Sequence, residues 1–273
     1  APDIIALFDV EGVLTYASPA LTRVLGYDPD ELLGLASPET VHPADFDDVV
    51  VAFERSSKSP GEPVPIEFRA LAADGTYRHL EATFTNLFAV PAVGAMVINA
   101  RDVTERASAA AAMLHQAMHD PLTDLPNRVL FLDRVNHGLA RAVRTGTGVA
   151  VLFLDLDDFA SVNRAFGRDG GDEVLVAVAG LLEAVVRSGD TVARLGGDEF
   201  VVGCPDTDLD GVTKLAAQLA LNAQRHPWPH DRQLTMSFGV ALLQPDDLGA
   251  DGLMRRADAA LYRAKLTRGA ASP

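Results

Sequence analysis

The sequence predicts an α+β protein of two domains that are joined by a helix. Its 273 residues exceed the size of one average domain, and 48% hydrophobic with 22% charged residues is the composition of a chain that folds around buried cores. Short β-rich segments separated by turns occupy the sequence up to residue 105, whereas helices and strands alternate after residue 120. We therefore predict a first domain over residues 1–105, a connecting helix over residues 106–118 and a second domain over residues 119–273.

The first domain is rich in hairpin patterns. Ile4–Phe8 and Val13–Tyr16 flank a turn and predict an opening hairpin. After helical and loop sequence, alternating β-branched segments return over Val64–Ala70, Tyr77–Leu87 and Val93–Ala100. These patterns predict an antiparallel sheet with helices inserted.

The connecting helix is predicted from Glu105–His119, where apolar residues recur at helical spacing and neither Gly nor Pro occurs. Two interpretations stay open for it. The helix packs on the surface of one domain, or it forms a short parallel coiled coil that carries rotation or register changes between protomers.

The second domain alternates between helices and strands, which predicts an α/β layout with a mixed or antiparallel sheet. The predicted helices are Asn127–Arg144, Gly171–Arg187, Leu209–Arg225 and Gly252–Leu266. The predicted strands are Val149–Leu156, Thr191–Leu195, Phe200–Cys204 and Leu234–Leu243.

Charge and composition exclude several functions. The net charge is −15, and residues 1–105 carry 17 acidic residues against 6 basic ones, so no nucleic acid partner is expected. The apolar stretches are too short or too interrupted to span a bilayer, and no membrane segment is predicted. The single cysteine, Cys204, excludes an internal disulfide, so we expect a cytoplasmic protein. Because the first residue is Ala rather than Met, we expect a piece of a longer chain.

A run of carboxylates follows the most apolar predicted strand. Asp155, Asp157 and Asp158 come at its end, where acidic side chains are costly unless a cation compensates their charge. A hard divalent cation such as Mg²⁺ takes oxygen ligands and bridges to phosphate. The pattern predicts a metal site, with a solvated acidic turn as the alternative.

Two further acids, Asp198 and Glu199, follow Gly196 and Gly197 in a predicted hairpin turn. Glycines at these positions permit positive φ and let phosphate approach the backbone closely. If the two strands are neighbours in the sheet, Asp198 faces Asp155 across the metal site. The alternative is an ordinary turn, because Gly-Gly-Asp is common in turns.

Six short motifs occur in order along the first domain. They are Asp9…Gly12, Ser18-Pro19-Ala20, Leu25-Gly26-Tyr27, Val41-His42-Pro43-Ala44-Asp45, Asp74-Gly75 and Arg101-Asp102-Val103-Thr104. In this order they resemble the PAS sensor family over residues 1–105. The resemblance implies a five-stranded antiparallel sheet that cups a pocket, used for sensing or for dimerisation.

The PAS ligand is unknown from the sequence. Flavin photochemistry of the LOV kind needs a reactive cysteine in this domain, and the single cysteine lies in the other one. His42 lies in a run that is common in PAS domains, which favours a structural role over haem ligation.

The second domain carries a longer series of motifs. They are His119-Asp120-Pro121-Leu122-Thr123-Asp124-Leu125-Pro126-Asn127-Arg128, Asp155-Leu156-Asp157, Asn163 with Gly167 and Asp172, Gly196-Gly197-Asp198-Glu199-Phe200, Ser237-Phe238-Gly239-Val240 and Ala257-Asp258-Ala259-Ala260-Leu261-Tyr262-Arg263-Ala264-Lys265. The series resembles a complete GGDEF domain over residues 117–268. It implies a nucleotidyl-cyclase or palm-like α/β domain with a mostly antiparallel central sheet. The implied activity is that of a diguanylate cyclase, which condenses two GTP into cyclic di-GMP and two pyrophosphates.

The same resemblance implies a role for each matched residue. The ligands of Mg²⁺ or Mn²⁺ would be the side chains of Asp155 and Asp198 and the carbonyl of Leu156. Asp198 or Glu199 would assist deprotonation of the ribose 3′-hydroxyl that attacks the α-phosphorus of the partner GTP. The substrate-binding residues would be Asn163 and Asp172 for the guanine edge, and Lys265 with the backbone amides of Asp158 and Phe159 for the phosphates.

A homodimer is also implied, because one site binds one GTP and the product joins two. The PAS domain and the helix would then regulate how often two sites meet. Upstream of the turn, Arg187 and Asp190 match the inhibitory site at which active members of the family bind cyclic di-GMP.

Four positions depart from the family pattern. Ala160 stands where a phosphate-facing Lys is usual, Arg164 replaces an Asp, and Arg168 replaces a His. Arg268 comes one residue earlier than the usual arginine, which turns its side chain by roughly 100° on a helix. Two interpretations stay open for Arg164 and Arg168: one of them supplies the missing positive charge, or both are surface residues. Ala160 and the shifted Arg268 favour an alternative function: a catalytically weak module that binds GTP or cyclic di-GMP and regulates a partner or a phosphodiesterase domain outside this sequence.

Overall fold

The computed structural model describes residues 3–36, 40–231, 233–244, 247 and 249–269. The chain divides into two compact units, Ala1–Met113 and Leu114–Pro273. Each unit contains one antiparallel sheet with helices, so the predicted α+β fold is confirmed. None of the helices in the described part of the chain combines the length and the apolar character needed to cross a bilayer.

The first unit is built on five strands that pair in the order β2-β1-β5-β4-β3. Its elements are β1 (Ile4–Phe8), β2 (Leu14–Ala17), α1 (Ala20–Leu25), α2 (Pro29–Leu32), α3 (Phe46–Lys58), β3 (Pro63–Leu71), β4 (Tyr77–Asn86) and β5 (Met96–Asp102). The last strand begins at Met96, later than predicted, because the carbonyl of Val90 accepts hydrogen bonds from the amides of Val93 and Gly94 and ends a turn there. The five-stranded antiparallel sheet that the PAS resemblance implies is present.

The core of the first unit lies between the sheet and the helices α1 and α3. Phe84 of β4 and Met96 of β5 are almost fully buried in it, together with Leu21 of α1 and Ala52 of α3. A cavity of about 360 Å³ remains between α3 and the sheet. Its lining is mostly apolar and includes Phe8, Phe46, Phe53, Phe68, Phe84 and Ile98.

Helix α4 (Thr104–Met118) is the connecting element. It begins where the carboxylate of Asp102 accepts hydrogen bonds from the amide and the hydroxyl of Thr104. None of its residues is buried, although the helix contains Met113 and Leu114. Both interpretations of the connecting helix therefore stay open.

The second unit has a sheet in the strand order β7-β8-β6-β9, with every neighbouring pair antiparallel. Its elements are α5 (Arg128–Thr145), β6 (Val149–Leu156), α6 (Phe159–Val185), β7 (Thr191–Gly196), β8 (Glu199–Pro205), α7 (Leu209–Arg225), β9 (Met236–Leu242) and α8 (Gly249–Gly269). The predicted antiparallel central sheet is thus confirmed.

Strand β6 is buried along its whole length. Successive side chains of a strand point to opposite faces of the sheet. Leu152 and Leu154 accordingly pack in the core that α6 and α7 cover, whereas Val151 and Phe153 pack in the core that α5 and α8 cover. By the same alternation, Asp155 faces the side of α5 and α8.

Helix α6 begins at Phe159, twelve residues before the predicted start at Gly171. Gly167, with φ of 74° and ψ of −177°, breaks α6 into two helical segments. The sequence pattern missed the first segment because three glycines within five residues, including Gly170, lower helix propensity there.

Candidate active site

The predicted carboxylates meet at one end of the second sheet. Asp155 of β6 lies directly opposite Glu199 of β8, so both side chains emerge on the same face. The Lys265 ammonium of α8 lies 2.5 Å from the Asp155 carboxylate, which is 13% exposed. The strand register and helix α8 together bring three of the residues that the sequence placed in one site into contact.

Negative charge is concentrated at this end of the sheet. Burial raises the pKa of Asp155, and the charge of Asp198 raises it further, although Lys265 opposes both effects. Burial and three neighbouring acids, Asp155 first among them, raise the pKa of Glu199. The ionised form of the cluster is therefore disfavoured until a further cation joins it.

The donor set fits a hard divalent cation. Asp155 and Asp198 offer carboxylate oxygens, and the Leu156 carbonyl follows Asp155 directly. Within the described residues, no three acidic, histidine or cysteine side chains are arranged to hold a metal ion by themselves. Such a set suits a cation of the Mg²⁺ type, which uses one or two carboxylates and takes its other oxygens from water and substrate phosphates.

Asp157 belongs to the same acidic run but is directed to a neighbouring strand. Its carboxylate accepts hydrogen bonds of 2.6 Å from the hydroxyls of Thr235 and Ser237. Its amide also donates to the carbonyl of Thr235 at 2.9 Å. Asp157 thus ties the end of β6 to the beginning of β9.

The turn between β7 and β8 is held by an arginine that the sequence analysis did not single out. Gly196 and Gly197 have φ of 140° and 55°, as the turn requires. Arg194 donates to the carbonyl of Gly197 at 3.0 Å and 2.8 Å and to the carboxylate of Asp120 at 2.8 Å. The side chains of Arg194 and Asp120 are only 10% and 16% exposed, respectively.

The partner of that arginine is itself part of a tight loop. The carboxylate of Asp120 accepts hydrogen bonds from the amide and the hydroxyl of Thr123 at 2.9 Å and 2.7 Å. Burial raises the pKa of Asp120, but the hydrogen bonds from Thr123 and Arg194 outweigh burial and hold the pKa below its ordinary value. The loop before α5 therefore supports the Gly-Gly turn through a charged and half-buried contact.

The first turn of α6 lies beside the carboxylate cluster because α6 follows β6 after two residues. Asp158 precedes it with φ of 54° and makes no side-chain capping hydrogen bond. The first amides of a helix have no partner within the helix and attract anions. Arg164 lies 3.8 Å from the exposed Asp158 carboxylate, which places a cation near this helix start.

The break at Gly167 changes the direction of α6, and residues on either side of the break contact each other. A Cβ atom on Gly171 would lie 2.0 Å from the side-chain oxygen of Asn163, so the two residues are in close contact. Asp172 follows Gly171 and is half-exposed. The structure thus brings the two predicted guanine ligands into the same neighbourhood.

Arg187 and Asp190 lie at the opposite end of the sheet from the Gly-Gly turn, because β7 pairs Thr191 with Gly203 at its beginning. The guanidinium of Arg187 donates to the Asp190 carboxylate at 3.2 Å and to the hydroxyl of Thr207 at 2.7 Å. Arg187 is 65% exposed, whereas the side chain of Asp190 is 2% exposed. A cavity of about 530 Å³ adjoins the pair.

Three of the departures from the family pattern have defined positions. Ala160 and Arg168 are exposed, and Arg164 is the cation near Asp158 described above. The side chain of Arg268 lies outside the described residues.

Comparison with known proteins gives relatives with diguanylate cyclase names. The bifunctional diguanylate cyclase/cyclic di-GMP phosphodiesterase MucR of Pseudomonas aeruginosa is 41% identical over 165 residues, which are 59% of this chain and 24% of MucR. The diguanylate cyclase DgcM of Escherichia coli K12 is 34% identical over 209 residues, which are 77% of this chain and 50% of DgcM. The chain thus spans half or less of the length of these two relatives.

Solved structures give a similar result. The GGDEF domain of DgcB from Caulobacter crescentus, crystallised in complex with c-di-GMP, is 30% identical with a TM-score of 0.52. The match covers 55% of this chain and 91% of that one.

Family models match both units in the predicted order. The model described as "PAS fold" matches residues 14–90, and the model described as "Diguanylate cyclase, GGDEF domain" matches residues 117–270. Both resemblances are thereby confirmed. Since the second match covers more than half of the sequence and includes every element of the carboxylate site, the chain belongs to the diguanylate cyclase GGDEF-domain family.

Proposed function

We propose that this protein is a diguanylate cyclase, which condenses two GTP into cyclic di-GMP and two pyrophosphates. The observation that carries the proposal is the placement of Asp155 opposite Glu199, with Lys265 against Asp155 and the Gly-Gly turn held beside them by Arg194. The printed names of MucR and DgcM support the same activity. The domains would be residues 1–105, the helix 106–118 and residues 119–273.

Mg²⁺ or Mn²⁺ would be held by the carboxylates of Asp155 and Asp198 and by the carbonyl of Leu156. Bound there, the ion would neutralise phosphate charge and polarise the α-phosphate. The raised pKa values of Asp155 and Glu199 support this assignment, because the site carries more negative charge than Lys265 alone offsets.

Substrate binding would use the start of α6 and the region around its break at Gly167. Asn163 and Asp172 would accept and donate at the guanine edge, since an amide offers both functions and a carboxylate accepts from the guanine N1 and N2 hydrogens. The phosphates would lie at the start of the helix, against the amides of Asp158 and Phe159. Lys265, which now contacts Asp155, would contribute the nearest side-chain cation.

The chemical step would be an in-line displacement at phosphorus. Asp198 or Glu199 accepts the proton of the ribose 3′-hydroxyl, the oxygen forms a bond to the α-phosphorus of the other GTP, and pyrophosphate leaves with the electron pair of the broken bond.

Turnover would need a homodimer, because each site holds one of the two nucleotides. The PAS domain would regulate the reaction by changing how often two sites meet in the cytoplasm. Cyclic di-GMP would inhibit through Arg187 and Asp190, whose guanidinium and carboxylate suit a guanine and its phosphate.

A second candidate function is a weak GGDEF module that binds nucleotide and regulates a phosphodiesterase domain. Ala160 favours it, because the first turn of α6 lacks a lysine. The printed name of MucR, which includes a phosphodiesterase, also favours it.

The two functions are separated by incubating the purified chain with GTP and Mg²⁺ and chromatographing the nucleotides. We expect cyclic di-GMP from the wild type and none from Asp198→Ala. Asp133→Ala, which removes an exposed acid of α5 away from the site, serves as the matched control and should keep the wild-type rate. No product from the wild type above the Asp198→Ala level, at concentrations where dimers form, would favour the regulatory module.

A further inference from the structure

The loop between α4 and α5 contains a residue in an unusual conformation. Asp124 has φ of 59°, in the left-handed region that residues other than glycine rarely adopt. Its carboxylate accepts a hydrogen bond of 2.6 Å from the ring Nε2–H of His115 in α4. Glycine would adopt this φ without steric cost, so the aspartate is strained where its side chain makes a specific contact.

That contact is the first link of a hydrogen-bonded series leading to the catalytic turn. The amide of Asp124 donates to the carbonyl of Asp120 at 2.9 Å. The carboxylate of Asp120 accepts from Arg194, and Arg194 donates to the carbonyl of Gly197. Three residues therefore separate His115 on the connecting helix from the Gly-Gly turn.

The end of α4 is attached to the same loop by a second set of hydrogen bonds. The side-chain amide of Asn127 donates to the carbonyl of Ala117 at 2.8 Å, and its backbone amide donates to the carbonyl of Met118 at 2.9 Å. His115 lies one turn earlier and stacks on His119, with ring centroids 4.0 Å apart and planes 11° apart. Attachment at two levels fixes the direction of the last helical turn as well as its position.

The competing interpretation is that His115 and Asp124 form an ordinary surface pair with no effect on the turn, since their side chains are 52% and 80% exposed. The chain contains such a pair for comparison. His137 and Asp133 lie 3.5 Å apart, with 79% and 61% of their side chains exposed, but both belong to α5 and connect no separate elements. The pair at Asp124 differs because it joins a helix to a strained loop that supports the turn.

We propose that His115 and Asp124 are positioning residues that fasten the last turn of α4 to the loop holding the Gly-Gly-Asp-Glu turn. The inference rests on the proposed cyclase function for its effect on rate. A displacement of α4 then alters the support of Arg194 and changes turnover without touching the guanine ligands.

The test uses the full chain with His115→Ala, Asp124→Gly, the double variant, and the conservative variants His115→Gln and Asp124→Asn. Asp124→Gly removes the carboxylate but relieves the left-handed φ, so it keeps the fold. His137→Ala is the matched control. Two quantities are measured in each: hydrogen–deuterium exchange of the peptide covering residues 194–200, and the kcat and KM of the cyclase reaction.

We expect faster exchange in the turn and a kcat about two- to fivefold lower in His115→Ala and Asp124→Gly, the size of effect that an exposed pair supports. The KM for GTP should stay unchanged, and the double variant should lose no more than either single variant. The conservative variants and His137→Ala should match the wild type.

Wild-type exchange and kcat in Asp124→Gly would overturn the inference, and so would additive losses in the double variant. The exchange measurement also separates this inference from the proposed function. A wild type that makes no cyclic di-GMP, yet exchanges faster at the turn after Asp124→Gly, would remove the cyclase function and leave the fastening intact.

Discussion

Two arginine–aspartate pairs lie at strand β7, one just before it and one within it, and they differ in how far the arginine is exposed. Arg187 precedes the strand, pairs with Asp190 three residues later and keeps 65% of its side chain exposed. Arg194 lies within the strand, pairs with Asp120 at a separation of 74 residues and is 10% exposed. The same two residue types therefore occupy opposite environments within one hairpin.

The difference shows that burial decides whether the arginine of an ion pair has a structural role or is accessible to a ligand. The guanidinium of Arg194 is enclosed and directed to two protein acceptors, Asp120 and the carbonyl of Gly197, so it is committed to holding the turn. The exposed guanidinium of Arg187 can still meet a planar anion from solvent. The buried pair is structural, and the exposed arginine is suited to a ligand.

The largest expected effect comes from breaking the enclosed pair. Arg194→Ala leaves Asp120 half-buried without its cation, and we expect the free energy of unfolding to fall by about 3 kcal/mol. The freed turn should also lower kcat by roughly 100-fold, because small displacements of reacting groups are costly. Urea unfolding and initial rates measure both. Arg194→Lys keeps the charge but not the fork, so its values should lie between those of Arg194→Ala and the wild type.

A substitution beside Asn163 tests whether an exposed side chain also needs support from its neighbours in order to bind guanine. Asn163 is exposed but rests on Gly171, and a methyl group at residue 171 would displace its side-chain oxygen. Gly171→Ala should raise the KM for GTP about tenfold, the cost of one lost hydrogen bond to a nucleotide.

The control for that change is Gly180→Ala in the same helix, where a Cβ atom meets nothing within 4 Å. Its KM should equal the wild-type value. An equal KM in Gly171→Ala as well would show that Asn163 does not need its present position to bind guanine.

Removing the exposed arginine should have a specific effect on regulation. Arg187→Ala also takes the cation from the Asp190 carboxylate, whose side chain is 2% exposed and keeps a hydrogen bond from the amide of residue 187, so the free energy of unfolding should fall by about 2 kcal/mol. Initial cyclase rates should stay the same, while added cyclic di-GMP should no longer inhibit. Progress curves with and without added product test this, and retained inhibition would contradict the assignment of Arg187.

A third pair, in the first unit, gives the smallest expected effect and a pH test. Arg69 donates to Asp45 through its side chain at 2.6 Å and 2.8 Å and through its amide at 2.8 Å, which lowers the pKa of Asp45 to about 2. A pKa lowered by folding stabilises the protein above the ordinary pKa of aspartate, and this contribution is lost as the pH falls through about 2.

Asp45→Asn should therefore be about 0.5–1 kcal/mol less stable than the wild type at pH 7, after allowance for solvent at this half-exposed pair. The difference should shrink as the pH falls below about 4, where the carboxyl begins to bind protons in the unfolded chain. Thermal unfolding at several pH values measures it, and a difference that is independent of pH would assign the effect to packing.

The sequence predicted the residues whose positions follow from local periodicity. From the sequence we expected Asp198 to face Asp155 across two neighbouring strands. The strands β6 and β8 are neighbours, but their register places Glu199 directly opposite Asp155 and leaves Asp198 in the turn. The contact of Arg194 with Asp120 was not accessible, because it joins residues 74 positions apart and neither residue's spacing indicates the other.

Tertiary contacts explain the other differences. The first segment of α6 forms in spite of Gly167 because Asn163 packs on Gly171 and because Phe166 stacks on His230 with ring centroids 4.3 Å apart. Such contacts outweigh the weak helix propensity that the sequence shows. The late start of β5 follows from the turn at Gly94.

The complete burial of β6 limits how this protein can change during evolution or engineering. Every apolar residue of the strand lies in one of two cores, and a shift of its register by one residue would carry Asp155 from the α8 side into the apolar core under α6. Changes in substrate preference or rate are therefore expected from substitutions in the helix ends and loops around the site. The strand that carries Asp155 has almost no freedom to vary.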